Sequence, residues 1–169
     1  MRGIIKTLPT QNTRQHFVNS LIKLAGKNSD IILLTGDLGH SFFEPFIKQF
    51  PKQFINCGVI EQSMVGIAVG LALAGKKPYV YSTSTFLVFR AAEQIRNDVC
   101  YQNNNVKLAG TAGKQWNFLG YTHIPTCKED IKVLNLFPNI RLYEPSTQEE
   151  MDNLMEKEYQ RAGPAYFRL

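Results

Sequence analysis

Apolar positions along the chain switch repeatedly between a helical spacing and short continuous runs. Phe17, Leu21 and Leu24 recur at helical spacing behind Thr10 and Thr13, Gly26 and Asn28 supply a stop, and Ile31 to Thr35 is an apolar run of the kind a buried strand makes. The step then repeats: Phe54 to Cys57 as strand, Glu61 to Ala74 as helix, Tyr79 to Ser82 as strand, Thr85 to Tyr101 as helix, Val106 to Gly110 as strand. After a loop from Thr111 to Pro125 come a helix near Lys128 to Phe137, a strand at Ile140 to Tyr143, a helix from Gln148 to Arg161 and a last strand at Ala165 to Leu169. Strands alternating with helices predict the α/β class. The expected architecture is a single three-layer domain over residues 1–169, a mostly parallel sheet of five to six strands with helices on both faces.

Composition adds bounds rather than chemistry. A chain of 169 residues with 44% hydrophobic content can bury roughly 70% of its unfolded surface. The net charge of +5 arises from 19 basic and 14 acidic groups scattered along the chain, so it predicts solubility rather than a nucleic-acid footprint. Six of the 14 acidic residues fall between Glu144 and Glu158, which reads as the solvated face of the last helix. Cys57, Cys100 and Cys127 are odd in number and lack metal-ligand spacing, which argues against a disulfide framework or zinc site and fits a reducing cytoplasm. The charge-free run Gln62 to Gly75 is shorter than the ~20 residues that span a bilayer, and Met1 to Thr10 has no signal-peptide core. A soluble cytoplasmic protein is expected.

In open parallel sheets ligands bind beyond the carboxyl ends of strands. That rule selects Asp37, Glu61, Ser84 to Phe89, Thr111 to Gly120, and His123. Glu61 opens a helix, where a carboxylate ordinarily complements the helix N-terminus. Yet Gly58, Val59 and Ile60 before it and an uncharged helix after it suggest burial, and a carboxylate in an apolar place is often kept for function. Gly66, Gly70 and Ala74 recur every fourth position, and each glycine costs a helix interior about 1 kcal/mol against alanine. Either tight packing onto the sheet or a subunit contact would explain them. Phe86 and Phe89, three apart in the first turn of their helix, would ordinarily be core but can form an apolar wall for a planar ring. Gly36-Asp37-Leu38-Gly39 lacks the second glycine of the Gly-Asp-Gly metal-diphosphate motif, so no metal site is assigned to this chain. His123 is a lone loop histidine, ordinarily a solvated surface group. No Ser/His/Asp order, HExxH, Walker or GxGxxG pattern is present.

Four blocks in order resemble the pyrimidine-binding domain of transketolase, a thiamine-diphosphate enzyme. They are Phe54-Ile-Asn-Cys-Gly-Val-Ile-Glu-Gln-Ser-Met-Val-Gly-Ile-Ala-Val-Gly-Leu-Ala72, Thr83-Ser-Thr-Phe-Leu-Val-Phe89, Gln94-Ile-Arg-Asn-Asp98 and Gly120-Tyr-Thr-His123. Gly163-Pro-Ala-Tyr-Phe-Arg168 resembles that domain's final strand, so the likeness runs from about Asp30 to Leu169. It implies the thiamine-diphosphate-binding fold and a catalytic Glu61, which would hydrogen-bond the pyrimidine nitrogen para to the exocyclic amine and favour the imino tautomer. The imine then serves as base toward the thiazolium carbon between nitrogen and sulfur. The resemblance further implies that Phe86 and Phe89 flank the pyrimidine, that Asp37, Leu38 and Ile60 lie at the cofactor, and that His123 contacts donor hydroxyls.

Two departures from the family pattern bear on function. Leu119 stands where relatives carry an aspartate that recognises an acceptor hydroxyl, and Thr111 stands where a loop histidine commonly meets acceptor phosphate. With Trp116 and Phe118 nearby, Leu119 suggests a larger or less polar acceptor. The sequence also contains neither the diphosphate domain nor the third domain of a full transketolase. A two-gene enzyme is therefore expected: a separate diphosphate-binding subunit holds the magnesium or calcium ion, the assembly is α2β2, and the Gly66/Gly70 helix lies near its core. The expected activity is transfer of a two-carbon ketol unit to an aldehyde or sugar acceptor. Two alternatives stay open: the pyrimidine subunit of a two-subunit thiamine-dependent 2-oxoacid decarboxylase, and a non-catalytic regulatory module of the same fold.

Overall fold

The computed structural model describes residues 12–111 and 128–169. Among the described residues, six strands form one parallel sheet: β1 (Ile31–Thr35), β2 (Phe54–Asn56), β3 (Lys77–Thr83), β4 (Lys107–Thr111), β5 (Arg141–Tyr143) and β6 (Ala165–Arg168), in the order β2-β1-β3-β4-β6-β5. Leu33 pairs with Phe54 and with Tyr79, Tyr81 with Ala109, and Ala109 with Phe167.

Side chains alternate across the sheet and so divide the core in two. Ile31, Leu33, Tyr79, Tyr81 and Phe167 point to one face, where α1 (Thr13–Ala25), α2 (Glu44–Gln49) and α6 (Gln148–Gln160) bring Phe17, Leu21, Phe46, Met151 and Met155. Ile32, Leu34, Val80, Leu108 and Tyr166 point to the other. There α3 (Glu61–Leu73), α5 (Glu129–Leu134) and a helical segment after β3 cover the sheet with Met64, Val65, Ala68, Leu134, Leu87, Val88 and Ile95. The chain passes from β1 to β2 over the first face and from β2 to β3 over the second. The carboxyl ends of β1 and β3 therefore flank a topological switch point, where such sheets bind ligands.

Four features depart from the sequence reading. Helix α2 and the 3-10 turn Pro51–Gln53 occupy a stretch with no assigned element. Glu44 and Pro45 at the helix start are the chemistry that announces it, and Phe43 packs edge-on to Tyr81 with ring centroids 4.7 Å apart. The segment after β3 is not one regular helix: Phe86–Arg90 and Ile95–Tyr101 are π-helical, separated by the short α4 (Ala92–Gln94). The helix expected near Lys128 to Phe137 is only Glu129–Leu134.

The fourth departure corrects the reading of the acidic run as a solvated face. Glu158 is fully buried. It accepts from Arg141 Nη2 at 2.7 Å, Tyr143 Oη at 2.8 Å and Lys107 Nζ at 3.3 Å, beneath the amino ends of β4 and β5. Three donors from the neighbouring strands make that burial tolerable. Asp152 and Glu156 of α6 do follow the expected pattern, meeting Lys23 of α1 and Lys27 of the turn after it at the surface.

Candidate functional site

The loops after β1 and β2 are tied together by one side chain. Asn56 Oδ1 accepts from the backbone N–H of Asp37 at 3.0 Å and of Gly58 at 3.1 Å, while its Nδ2 donates to Asp37 Oδ1 at 3.2 Å. Asp37 sits in the left-handed region at φ 56°, which aspartate tolerates better than most residues, and Gly58 sits there at φ 74°. A β-carbon on Gly36 would stand 3.3 Å from the Gly58 carbonyl oxygen and 3.7 Å from Glu61 Oε1. The bare glycine lets the two loops close over the carboxylate.

Glu61 begins α3 at the switch point and is 2% exposed. Its Oε1 accepts from Ser82 Oγ of β3 at 3.2 Å, and its Oε2 accepts from Arg90 Nη1 at 3.1 Å. Arg90 closes the π turn that begins at Phe86, and its guanidinium lies over the Phe86 ring, with Cζ 3.7 Å from the ring centroid. An i→i+5 ladder winds more than four residues into a turn, so Phe86 and Arg90 come nearly one above the other. One flat cation thus bridges a buried carboxylate edge-on and a phenyl ring face-on.

Arg90 borders two cavities. One, of about 470 Å³, is lined by Val59, Ile60, Glu61, Gln62, Ser63 and Arg90. The other, of about 670 Å³, is lined by Phe86, Phe89 and Arg90 together with Glu129, Lys132 and Val133 of α5. Both volumes lie in the range of small-molecule sites. The floor behind the second is rigid: Ser84 Oγ donates to the Thr111 carbonyl at 2.7 Å, and buried Asp130 accepts from Tyr166 Oη at 2.7 Å and from Arg168 Nε at 2.9 Å. Burial, joined by the Asp130 carboxylate, holds the Tyr166 hydroxyl protonated well above the usual tyrosine range. Burial also pushes the Cys57 thiol up.

The structure therefore brings Glu61, Ile60, Phe86 and Phe89 to two cavities that share Arg90 as a wall. Asp37 is exposed on the neighbouring loop, and Leu38 packs against the opposite core and lines neither cavity. His123 and Leu119 lie outside the described residues, as do Trp116 and Phe118. Gly66 and Gly70 face outward, and a β-carbon on either would meet nothing within 4 Å, so packing onto the sheet does not account for them. Arg90, Ser82 and Asn56 escaped the sequence reading. The four-residue interval from Phe86 to Arg90 is one that places two side chains on the same helix face, but nothing local to it points to Glu61 as the third partner.

A family model, "Transketolase, pyrimidine binding domain", matches residues 10–169. The chain belongs to that family. Among its relatives, an apulose-4-phosphate transketolase subunit of Actinobacillus succinogenes is 38% identical over 161 residues, covering 92% of this chain and 51% of the relative. The 6-deoxy-6-sulfo-D-fructose transketolase subunit of a Clostridium species is 32% identical over 158 residues, covering 92% of this chain and 48% of the relative. Among solved structures, a split-gene transketolase described as an inactive β4 tetramer superposes with a TM-score of 0.82 at 34% identity, over 93% of this chain and 50% of that one. This transketolase pyrimidine-binding chain spans about half the length of the curated relatives it matches. Among the described residues, no helix is long and apolar enough to cross a membrane.

Proposed function

We propose that this chain is the pyrimidine-binding subunit of a split, thiamine-diphosphate-dependent transketolase that moves a two-carbon ketol unit to an aldehyde or sugar acceptor. The observation that carries the reading is the buried Glu61 carboxylate, already engaged by a flat N–H donor that rests on Phe86. An aminopyrimidine protonated on its ring nitrogen offers the same two features, an in-plane N–H and an aromatic face. Glu61 would accept that N–H through a carboxylate oxygen, and so would favour the tautomer in which the ring nitrogen carries the proton. The Ser82 hydroxyl fixes Oε1 and leaves Oε2 to face the ring. Phe86 supplies a face worth on the order of 1 kcal/mol beyond area burial, with Phe89 lining the same cavity. Ile60 and Val59 form an apolar rim beside the carboxylate. Bound thiamine diphosphate would supply the carbon nucleophile that this side-chain set lacks.

Gly36-Asp37-Leu38-Gly39 is not a metal-diphosphate motif, so these residues do not hold the diphosphate end and its magnesium or calcium ion, which are assigned to a separate chain. The names of the relatives, which are subunits, support that division, as does the split-gene neighbour. The assembly proposed is α2β2 in the cytoplasm, and the uncharged outer face of α3, carrying Gly66, Ile67, Gly70 and Leu73, is its intersubunit contact. His123 and Leu119 would meet the substrates.

The test mixes this chain with a separately purified diphosphate-binding chain, thiamine diphosphate and a ketose donor. Two-carbon transfer is expected only when both chains are present, and Glu61→Gln should lower kcat by about 10²–10⁴-fold. Turnover indifferent to Glu61→Gln, or no cofactor uptake by the mixture, refutes the reading.

A further inference from the structure

We propose that Arg90 fills the pyrimidine site of this chain until the cofactor displaces it; the inference rests on the thiamine reading above. A guanidinium is planar, cationic and edged with N–H donors, which makes it a close mimic of a ring-protonated aminopyrimidine. Both halves of the recognition chemistry are engaged by Arg90: Glu61 Oε2 accepts its Nη1 at 3.1 Å, and the Phe86 ring lies 3.7 Å beneath its Cζ. A ring cannot take either contact while the guanidinium holds both. The two cavities on either side, about 470 Å³ and about 670 Å³, each count Arg90 among their lining residues, so its withdrawal joins the carboxylate and the phenyl wall into one site.

An exit for the side chain is present. Arg90 is 43% exposed, against 2% for Glu61, so the guanidinium can reach water while the carboxylate stays in place. It also ends the Phe86–Arg90 π turn. Such turns carry one residue more than an α turn, and rewinding one shifts the register by a residue. Phe86 and Arg90 nevertheless stay neighbours at an i,i+4 spacing in either winding, so release rests on rotation of the exposed Arg90 side chain itself. Arg90 accordingly occupies the site without being needed to hold Glu61, whose Oε1 is tied to Ser82.

The consequence is a competition that lowers apparent ring affinity by the fraction of chains in which Arg90 is withdrawn. The experiment titrates the purified chain with 4-amino-2-methylpyrimidine, the ring fragment alone, by calorimetry or ligand-observed NMR. Arg90→Ala is expected to bind the fragment at least about ten-fold more tightly than the wild-type chain, the factor that nine-tenths self-occupancy imposes. The gain should disappear when Glu61→Gln is added. Arg90→Lys keeps the charge but loses the planar face, so it guards against loss of folding and should also gain affinity. Equal or weaker binding by both Arg90 variants overturns the proposal while leaving the thiamine reading intact. Should no chain take the fragment while Arg90→Ala takes up methylguanidinium, the thiamine reading itself falls, and this inference with it.

Discussion

Gly110 allows a quantitative test of how the site's wall is held. It lies in β4, and a β-carbon built there would stand 2.2 Å from Tyr166 Oη and 2.8 Å from Tyr166 Cε2 and Cζ, where ordinary contact begins near 3.4 Å. Tyr166 would have to retreat by more than an ångström, yet it is fully buried and its hydroxyl donates to Asp130 at 2.7 Å. Overpacking of this kind costs about 1–3 kcal/mol, and losing a hydrogen bond to a charged group costs about 1.5–3 kcal/mol. Gly110→Ala should therefore destabilise the chain by roughly 3–5 kcal/mol, lowering a urea midpoint by about 1.5–2.5 M at a slope near 2 kcal/mol/M. The strain also reaches the site, because the next residue, Thr111, anchors Ser84 two positions before Phe86. Tyr166→Phe removes the nearest atom, so the Gly110→Ala/Tyr166→Phe pair should cost clearly less than the sum of its singles. Additivity, or a Gly110→Ala change within 1 kcal/mol of zero, would refute the argument.

Other outcomes follow from burial and charge. Glu158→Gln leaves Lys107 and Arg141 without their anion and should destabilise by about 3–5 kcal/mol in urea melts. Burial pushes the Glu158 carboxyl up, but Arg141, Tyr143 and Lys107 outweigh it and hold the group below its ordinary 4.5. The unfolded chain therefore takes up the proton first, so this stabilisation is present above about pH 4.5 and is lost as pH falls through the folded value. Burial drags Lys107 down to about 8 from 10.5, with Glu158 opposing; between those two values the unfolded chain binds more protons, so this group's contribution grows as pH rises from about 8 to 10.5. Melting curves across pH in wild type and Glu158→Gln check both signs, and the acid-side contribution should be missing from the variant. Gly66→Ala and Gly70→Ala meet no neighbour, so each should stabilise the isolated chain by about 0.5–1 kcal/mol. The same changes should weaken assembly in sedimentation, and unimpaired assembly would remove α3 from the contact.

Much of this architecture was legible because parallel strands buried on both faces are written as apolar runs, and Ile31–Thr35 and Ala165–Arg168 fall where those runs do. Helices that cover them keep a helical period, as Phe17, Leu21 and Leu24 do. Glu61 was legible as a buried acid because its flanks carry no charge. The missing parts are those whose meaning lies in contacts between segments distant in the chain. Glu158 reads as one acid among six until the sheet brings Lys107 and Arg141 to it. The outward aim of Gly66 and Gly70 depends on which side of α3 meets the sheet. Arg90 reads as one more surface cation, since its partner Glu61 lies 29 positions away and only the fold brings the two together.

The central claim, that Glu61 sets the protonation of a bound aminopyrimidine, is tested most directly by solvent deuterium exchange at the thiazolium carbon. The measurement follows that proton by NMR in thiamine diphosphate bound to this chain and its diphosphate-binding partner. Wild type should exchange it about 10²–10⁴-fold faster than Glu61→Gln, with cofactor affinity changed far less. Equal exchange rates in the two assemblies would contradict the account.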